Sequence, residues 1–74
     1  MRERIPVDSS MLKSLEYDHE TRSLYASFKT GKYRYDSVPH DTFVMLADAA
    51  NNGESVGKLF HATILKAGYA FEKL

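Results

Sequence analysis

Between Ser23 and Pro39 the chain reads SLYASFKTGKYRYDSVP. Two alternating runs, Leu24, Ala26 and Phe28 on one side and Tyr33 and Tyr35 on the other, flank a Thr30-Gly31 step. Successive side chains of a strand point to opposite faces, so such runs bury one face each and leave the other to water. A connection of two residues with a glycine able to take positive φ joins only antiparallel neighbours, since a parallel crossover needs a dozen residues or more. The second run leads directly into Val38-Pro39, and the apolar period then changes from two to helical spacing. A hairpin that hands over to a helix is therefore the frame into which the remaining residues must fit.

A weaker alternation from Met11 to Asp18, with Leu15 and Tyr17 on one side and Ser14 and Glu16 on the other, predicts a strand before the hairpin, joined to it by the polar Asp18–Thr21 turn. Ile5-Pro6-Val7 reads as an extended lead-in and Asp8-Ser9-Ser10 as a turn. Leu15, Tyr17, Leu24, Ala26, Phe28, Tyr33 and Tyr35 then share one sheet face, and Glu16, Tyr25, Ser27, Lys29, Lys32 and Arg34 the other. The first face needs a cover. Pro39 suits a first helical turn with Asp41 near its positive end, and Phe43, Leu46, Ala47 and Ala50 follow at helical spacing before Asn51-Asn52-Gly53 stops the helix. Ser55 is an N-cap for a second helix with Val56, Leu59, Phe60, Thr63, Ile64 and Ala67 as its stripe and Gly68 as its end. Tyr69–Leu74 alternates again and is a candidate edge strand. The expected fold is α+β in one domain, residues 1–74: a three-stranded antiparallel meander, two helices packed on one face, and a short C-terminal edge strand (β-β-β-α-α-β).

A chain of 74 residues buries only about 60% of its unfolded surface, so its core is marginal. It has no cysteine to staple it, which makes a homo-oligomer or a docked complex an expected state. Ten basic residues balance ten acidic ones, which is unlike a protein that lives by neutralising a phosphate backbone, although charge could still be segregated on one face. No apolar run approaches the length of a membrane span, and Met1-Arg2-Glu3-Arg4 is not followed by an apolar signal region. A soluble, cytoplasmic protein with no membrane partner is expected.

The segment Gly53-Glu54-Ser55-Val56-Gly57-Lys58 is the strongest candidate for ligand chemistry. A small-residue turn entering a helix exposes backbone N–H groups to an anion, Lys58 adds a point charge, and His61 follows one turn later. It is not a P-loop: the spacing is one residue short, Leu59 stands where a Ser or Thr would hold magnesium, and the element before it is a helix. The plainer account makes Gly53 a C-cap, Ser55 an N-cap and Gly57 a close-packing position, and the same alternative applies to Ser9 and Ser10, which could donate to a phosphate or merely close a turn. His19, His40 and His61 are scattered, with no helical pair and no third ligand, so no metal site is expected; His19 is expected in solvent beside Asp18 and Glu20. No nucleophile and base share a workable spacing, so no catalytic residue and no cofactor is assigned and the chain is not read as an enzyme. Tyr25, Lys29, Lys32 and Arg34 form a basic, partly aromatic patch on the second sheet face, suited to stacking bases or docking a protein, or simply solvated.

The order Val7, Ser9-Ser10, Tyr17-Asp18, Leu24, Phe28, Gly31, Tyr33, Tyr35, Val38-Pro39, Phe43, Leu46, Ala50, Gly53, Phe60, Ile64, Tyr69 resembles the KTSC domain. This small module is named for its occurrence at the C-terminus of some lysyl-tRNA synthetases. Family members often carry Asn after the aromatic of the second helix, where His61 follows Phe60 here. The resemblance implies a β-meander with helices, found in stand-alone bacterial and phage proteins, and no established enzymatic activity. The residues and the resemblance together predict a non-catalytic binding module that recognises a nucleotide or RNA phosphate near Ser55, Gly57, Lys58 and His61. The alternative is an adaptor that docks on a larger protein through Tyr25, Lys29, Lys32 and Arg34.

Overall fold

The computed structural model describes residues 2–7 and 11–74. Along the chain run β1 (Arg2–Pro6), β2 (Leu12–Asp18), β3 (Ser23–Phe28), β4 (Gly31–Tyr35), α1 (His40–Asn51), α2 (Val56–Phe60), a π-helical turn (His61–Leu65) that continues α2, and β5 (Phe71–Lys73). The five strands form one antiparallel sheet in the order β1-β2-β3-β4-β5. The architecture is α+β, with four strands before the helices and a fifth after them, so the three-stranded meander expected from sequence is corrected to a five-stranded sheet. The lead-in is a true strand: β1 pairs along β2 from Arg2↔Asp18 to Pro6↔Ser14. The C-terminal edge strand is present on β4, shorter than Tyr69–Leu74, and is bracketed by Asp36 N–H donating to Ala70 O at 2.8 Å and Leu74 N–H donating to Lys32 O at 2.8 Å. The Asp8–Ser10 turn, with Ser9 and Ser10, lies outside the described residues.

The central hairpin has the register its alternation requires, with Leu24 opposite Tyr35, Ala26 opposite Tyr33 and Phe28 opposite Gly31. Gly31 takes a φ of 153° at the turn. In β2 the register slips between Leu12 and Ser14. A bulge inserts one residue on one strand, and every side chain beyond it changes face. Leu12 consequently joins Leu15 and Tyr17 in the core although its sequence parity puts it on the opposite side.

The helices seal the aromatic face. Phe43, Leu46 and Ala49 of α1 and Val56, Phe60 and Ile64 of the second helical run are buried in one cluster with Leu15, Tyr17, Leu24, Ala26 and Tyr35. Tyr33 is half-buried against it. Phe60 meets Phe28 and Tyr35 edge-on, each at a centroid distance of 5.6 Å. Pro39 is the residue before α1, with a ψ of 145°, and the helix begins at His40. The chain leaves α1 through a Schellman turn. Gly53 has a φ of 71°, its N–H donates to Ala50 O, and Glu54 N–H donates to Ala49 O at 2.9 Å. Ser55 Oγ then accepts the Lys58 N–H at 3.4 Å as the N-cap of α2. Two helices joined by this short turn fold back on one another over the sheet.

Candidate functional site

Ser55, Gly57, Lys58 and His61 line one cleft of about 480 Å³, between the start of α2 and the far end of the β2–β3 pair. Met11, Leu12, Phe28, Phe60 and Leu65 supply the rest of its wall. The cleft therefore has an apolar floor and a rim carrying one ammonium, one imidazole and one hydroxyl. Lys58 and His61 are exposed, and Gly57 is half-buried at the wall. Part of the plainer account also holds. Gly53 and Ser55 are caps, and Ser55 Oγ is already engaged by the Lys58 backbone, so the free polar reach of this rim rests on the Lys58 and His61 side chains.

The shape of the cleft owes something to the π-helical turn. Lys66 N–H donates to His61 O at 3.1 Å, a five-residue span, and the Thr63 hydroxyl donates to Leu59 O at 2.7 Å. A π-turn widens the helix and re-aims the side chains that follow, and such turns concentrate at functional sites. Here His61 opens the widened turn, Leu65 closes it, and both line the cleft. Nothing in the local sequence announces it. Met11, Leu12 and Phe28 were equally out of reach of sequence reasoning as cleft residues, because they arrive from the sheet.

The second candidate surface is less basic than its composition suggests. Arg4, Glu16, Tyr25, Arg34 and Glu72 stand in register across all five strands, on the face away from the helices. Arg34 Nε lies 3.0 Å from Asp36 Oδ1 and Nη2 lies 3.1 Å from Glu72 Oε1. The hydrogen bond to Asp36, then the Asp36 and Glu72 charges, raise the Arg34 guanidinium further above its ordinary value. The Lys32 ammonium sits 5.7 Å from the Tyr25 ring centroid. Lys29 is not on this face as a strand residue: β3 ends at Phe28, and Lys29 stands in the turn with its N–H donating to Met11 O at 2.9 Å. The expected patch is thus a row of alternating charges around one tyrosine.

Two of the three histidines meet: His19 and His40 approach to 5.0 Å between ring centroids, and His19, exposed as expected, has its Nε2 3.2 Å from Glu3 Oε1. They border a second cleft of about 390 Å³ with Tyr17, Arg22, Pro39 and Asp41. Beneath it Tyr17 stacks on Phe43 at 4.9 Å and its hydroxyl donates to Val38 O at 2.6 Å. Burial pushes the Tyr17 phenol above its ordinary value, with Arg22 pulling the other way, and burial followed by the Tyr33 charge does the same to Tyr35. Among the described residues no group of three or more His, Cys, Asp or Glu side chains is placed to hold a metal, and no helix is long and apolar enough to cross a membrane.

Comparison with known proteins matches the KTSC domain family to residues 8–69. The crystal structure of a KTSC domain protein from Yersinia pestis has the same fold with a TM-score of 0.81 at 29% identity, covering 100% of this chain and 99% of that one. A protein of Stutzerimonas stutzeri, described as uncharacterised, is 36% identical over 58 residues, which is 77% of this chain and 82% of that protein.

Proposed function

From the premise that this chain belongs to the KTSC domain family, we propose that it is a non-catalytic binding module for a nucleotide or an RNA segment. The ligand is held in the cleft between α2 and the β2–β3 end. The observation that carries the reading is the pairing of an apolar floor with a cationic rim. Met11, Phe28 and Leu65, above the buried Leu12 and Phe60, offer an apolar surface to the face of a base, and Lys58 and His61 stand at its edge where a phosphate would lie. Ligand sites of this size are commonly apolar with a few placed polar groups that fix orientation. A base face is sequence-tolerant on such a surface, and the phosphate supplies the charge that Lys58 answers.

The adaptor reading ranks second. It is favoured by the position of Tyr25 at the centre of a sheet face turned away from both helices, and weakened by the neutralisation of Arg34 by Asp36 and Glu72. The two readings separate on Lys58→Ala. A ligand that binds the native state raises its melting temperature. A thermal-shift series with ribonucleoside monophosphates and a short single-stranded RNA should show stabilisation of the parent protein. That stabilisation should be lost in Lys58→Ala, whose own melting temperature stays within about 2 °C of the parent because the residue is exposed. Unchanged ligand stabilisation in Lys58→Ala would remove the site.

A further inference from the structure

The face of the sheet turned away from the helices carries its charges in a particular order. In register across the strands, from β1 to β5, it reads Arg4, Glu16, Tyr25, Arg34, Glu72. That is plus, minus, aromatic, plus, minus, and reversing the row inverts every sign about Tyr25. A row with this symmetry is complementary to a second copy of itself laid over it in the opposite sense. β1 then lies over the partner's β5, β2 over the partner's β4, and β3 over the partner's β3. Arg4 meets the partner's Glu72, Glu16 meets the partner's Arg34, and the two-fold axis runs along β3 between the two Tyr25 rings. Arg34 already serves Asp36 and Glu72 within its own chain, but a guanidinium carries several donors and can bridge carboxylates of both copies.

The relief of the face suits the same arrangement. Tyr25 stands on β3 between Ser23 and Ser27, small residues on the same side of the strand, so each tyrosine has a hollow beside it for the other ring. Ser14, opposite Ser27, and Ser23, opposite Asp18, are 6% and 7% exposed, so the floor between the long side chains is closed. The other described charges on this side are Asp18, Lys32 and Asp36. Lys32 lies over the Tyr25 ring and falls opposite the partner's Ser14. Among the described side chains the one like-charge approach is Asp18 to the partner's Asp36. Both carboxylates are compensated within their own chain: Asp18 Oδ1 accepts the Glu20 and Thr21 N–H groups, and Asp36 Oδ1 is paired with Arg34.

We propose that this face is the interface of a homodimer, with two sheets stacked about 10 Å apart and their strands within about 30° of one another. The partner is a second copy of this chain, because the row is complementary to its own reverse. Size makes the dimer weak. The molecule measures 28 × 24 × 23 Å, so one face of it buries no more than the lower limit of stable interfaces, about 1,200 Å² for both copies together. The charges set register and favour encounter, while the tyrosines occupy the centre, where binding energy concentrates. The cleft beside α2 opens on the helical side and stays uncovered in each copy, so the dimer and that site stand or fall separately.

Sedimentation velocity from about 10 μM to about 1 mM protein, in about 50 mM and about 500 mM sodium chloride, reads the association directly. A dimer should form with rising concentration at the lower salt and weaken at the higher. Glu16→Arg and Arg34→Glu should each weaken it at least about tenfold, because each turns attractive contacts on both sides of the axis into repulsive ones. Mixing these two variants in equal amounts should restore association as a heterodimer, since the swapped charges then oppose one another, and a loss of folding cannot produce that rescue. Arg4→Glu mixed with Glu72→Arg is an independent swap at the rim with the same expected result, and a parent-like thermal transition checks each variant. A parent that stays monomeric throughout, a dimer indifferent to salt and to Glu16→Arg, or folded swap pairs that remain monomeric when mixed would overturn the proposal.

Discussion

Replacing Tyr17 by Phe tests how the sheet is tied to the helical layer. The Tyr17 ring is 1% exposed and stacks on Phe43, and its hydroxyl is the donor that meets the Val38 carbonyl at 2.6 Å, next to a side chain of 0% exposure. Phenylalanine keeps the ring and its stacking but leaves that carbonyl without its donor. A buried polar group stripped of its partner costs about 1–3 kcal/mol. In a domain of this size each kcal/mol moves the melting temperature by about 4–8 °C, so a cost of ~2 kcal/mol lowers it by ~8–16 °C. The measurement is thermal unfolding by circular dichroism at neutral pH, repeated at alkaline pH. Burial holds the Tyr17 and Tyr35 phenols above their ordinary value in the folded state. A group raised in this way contributes stability that is complete below the unfolded phenol value of about 10 and is lost as pH rises through the folded one. The parent should therefore lose stability above about pH 10, and Tyr17→Phe should lose less, retaining the Tyr35 share. A neutral-pH change within about 1 °C, or an alkaline slope identical in both proteins, would refute the assignment of this hydroxyl as a buried tie.

Two further substitutions probe other parts of the account. Phe60→Ala removes the ring that Phe28 and Tyr35 both meet, at a cost of about 3–5 kcal/mol, which is a large share of the ~4–11 kcal/mol expected for a domain of this length. Urea denaturation should show a strongly lowered transition midpoint, and a native-like midpoint would contradict the packing. Gly53→Ala places a Cβ at a φ of 71° with nothing within 4 Å of it, so its cost is conformational alone, about 1 kcal/mol, and a drop of about 4–8 °C is expected. A neutral or stabilising Gly53→Ala would argue against the Schellman turn between the helices.

The hairpin, both helices, their caps and the face to be sealed are legible because each is a local pattern. β1 is not, for a physical reason. An edge strand is protected from wrong pairing by charges and proline, and Glu3, Arg4 and Pro6 are those protections, so the features that make β1 a safe edge also erase its apolar alternation. Leu12 was hidden by the bulge after it, which breaks the parity that pattern reading relies on. Ser55, Gly57, Lys58 and His61 could be grouped from sequence because they lie within two turns of one helix, whereas Met11, Leu12 and Phe28, which turn that rim into a cleft, are brought by the sheet. The approach of His19 to His40 joins the β2–β3 turn to the start of α1 and has no sequence signature.

The claim that the cleft beside α2 is the ligand site is tested most directly by mapping where a ligand lands. Backbone and side-chain NMR shifts are recorded as a ribonucleoside monophosphate, then a short single-stranded RNA, is titrated into the labelled protein. The account predicts that the saturating changes cluster on Phe28, Gly57, Lys58, His61 and Leu65. Saturating changes centred instead on Tyr25, Lys32 and Arg34, or none at concentrations that saturate ordinary nucleotide sites, would contradict it.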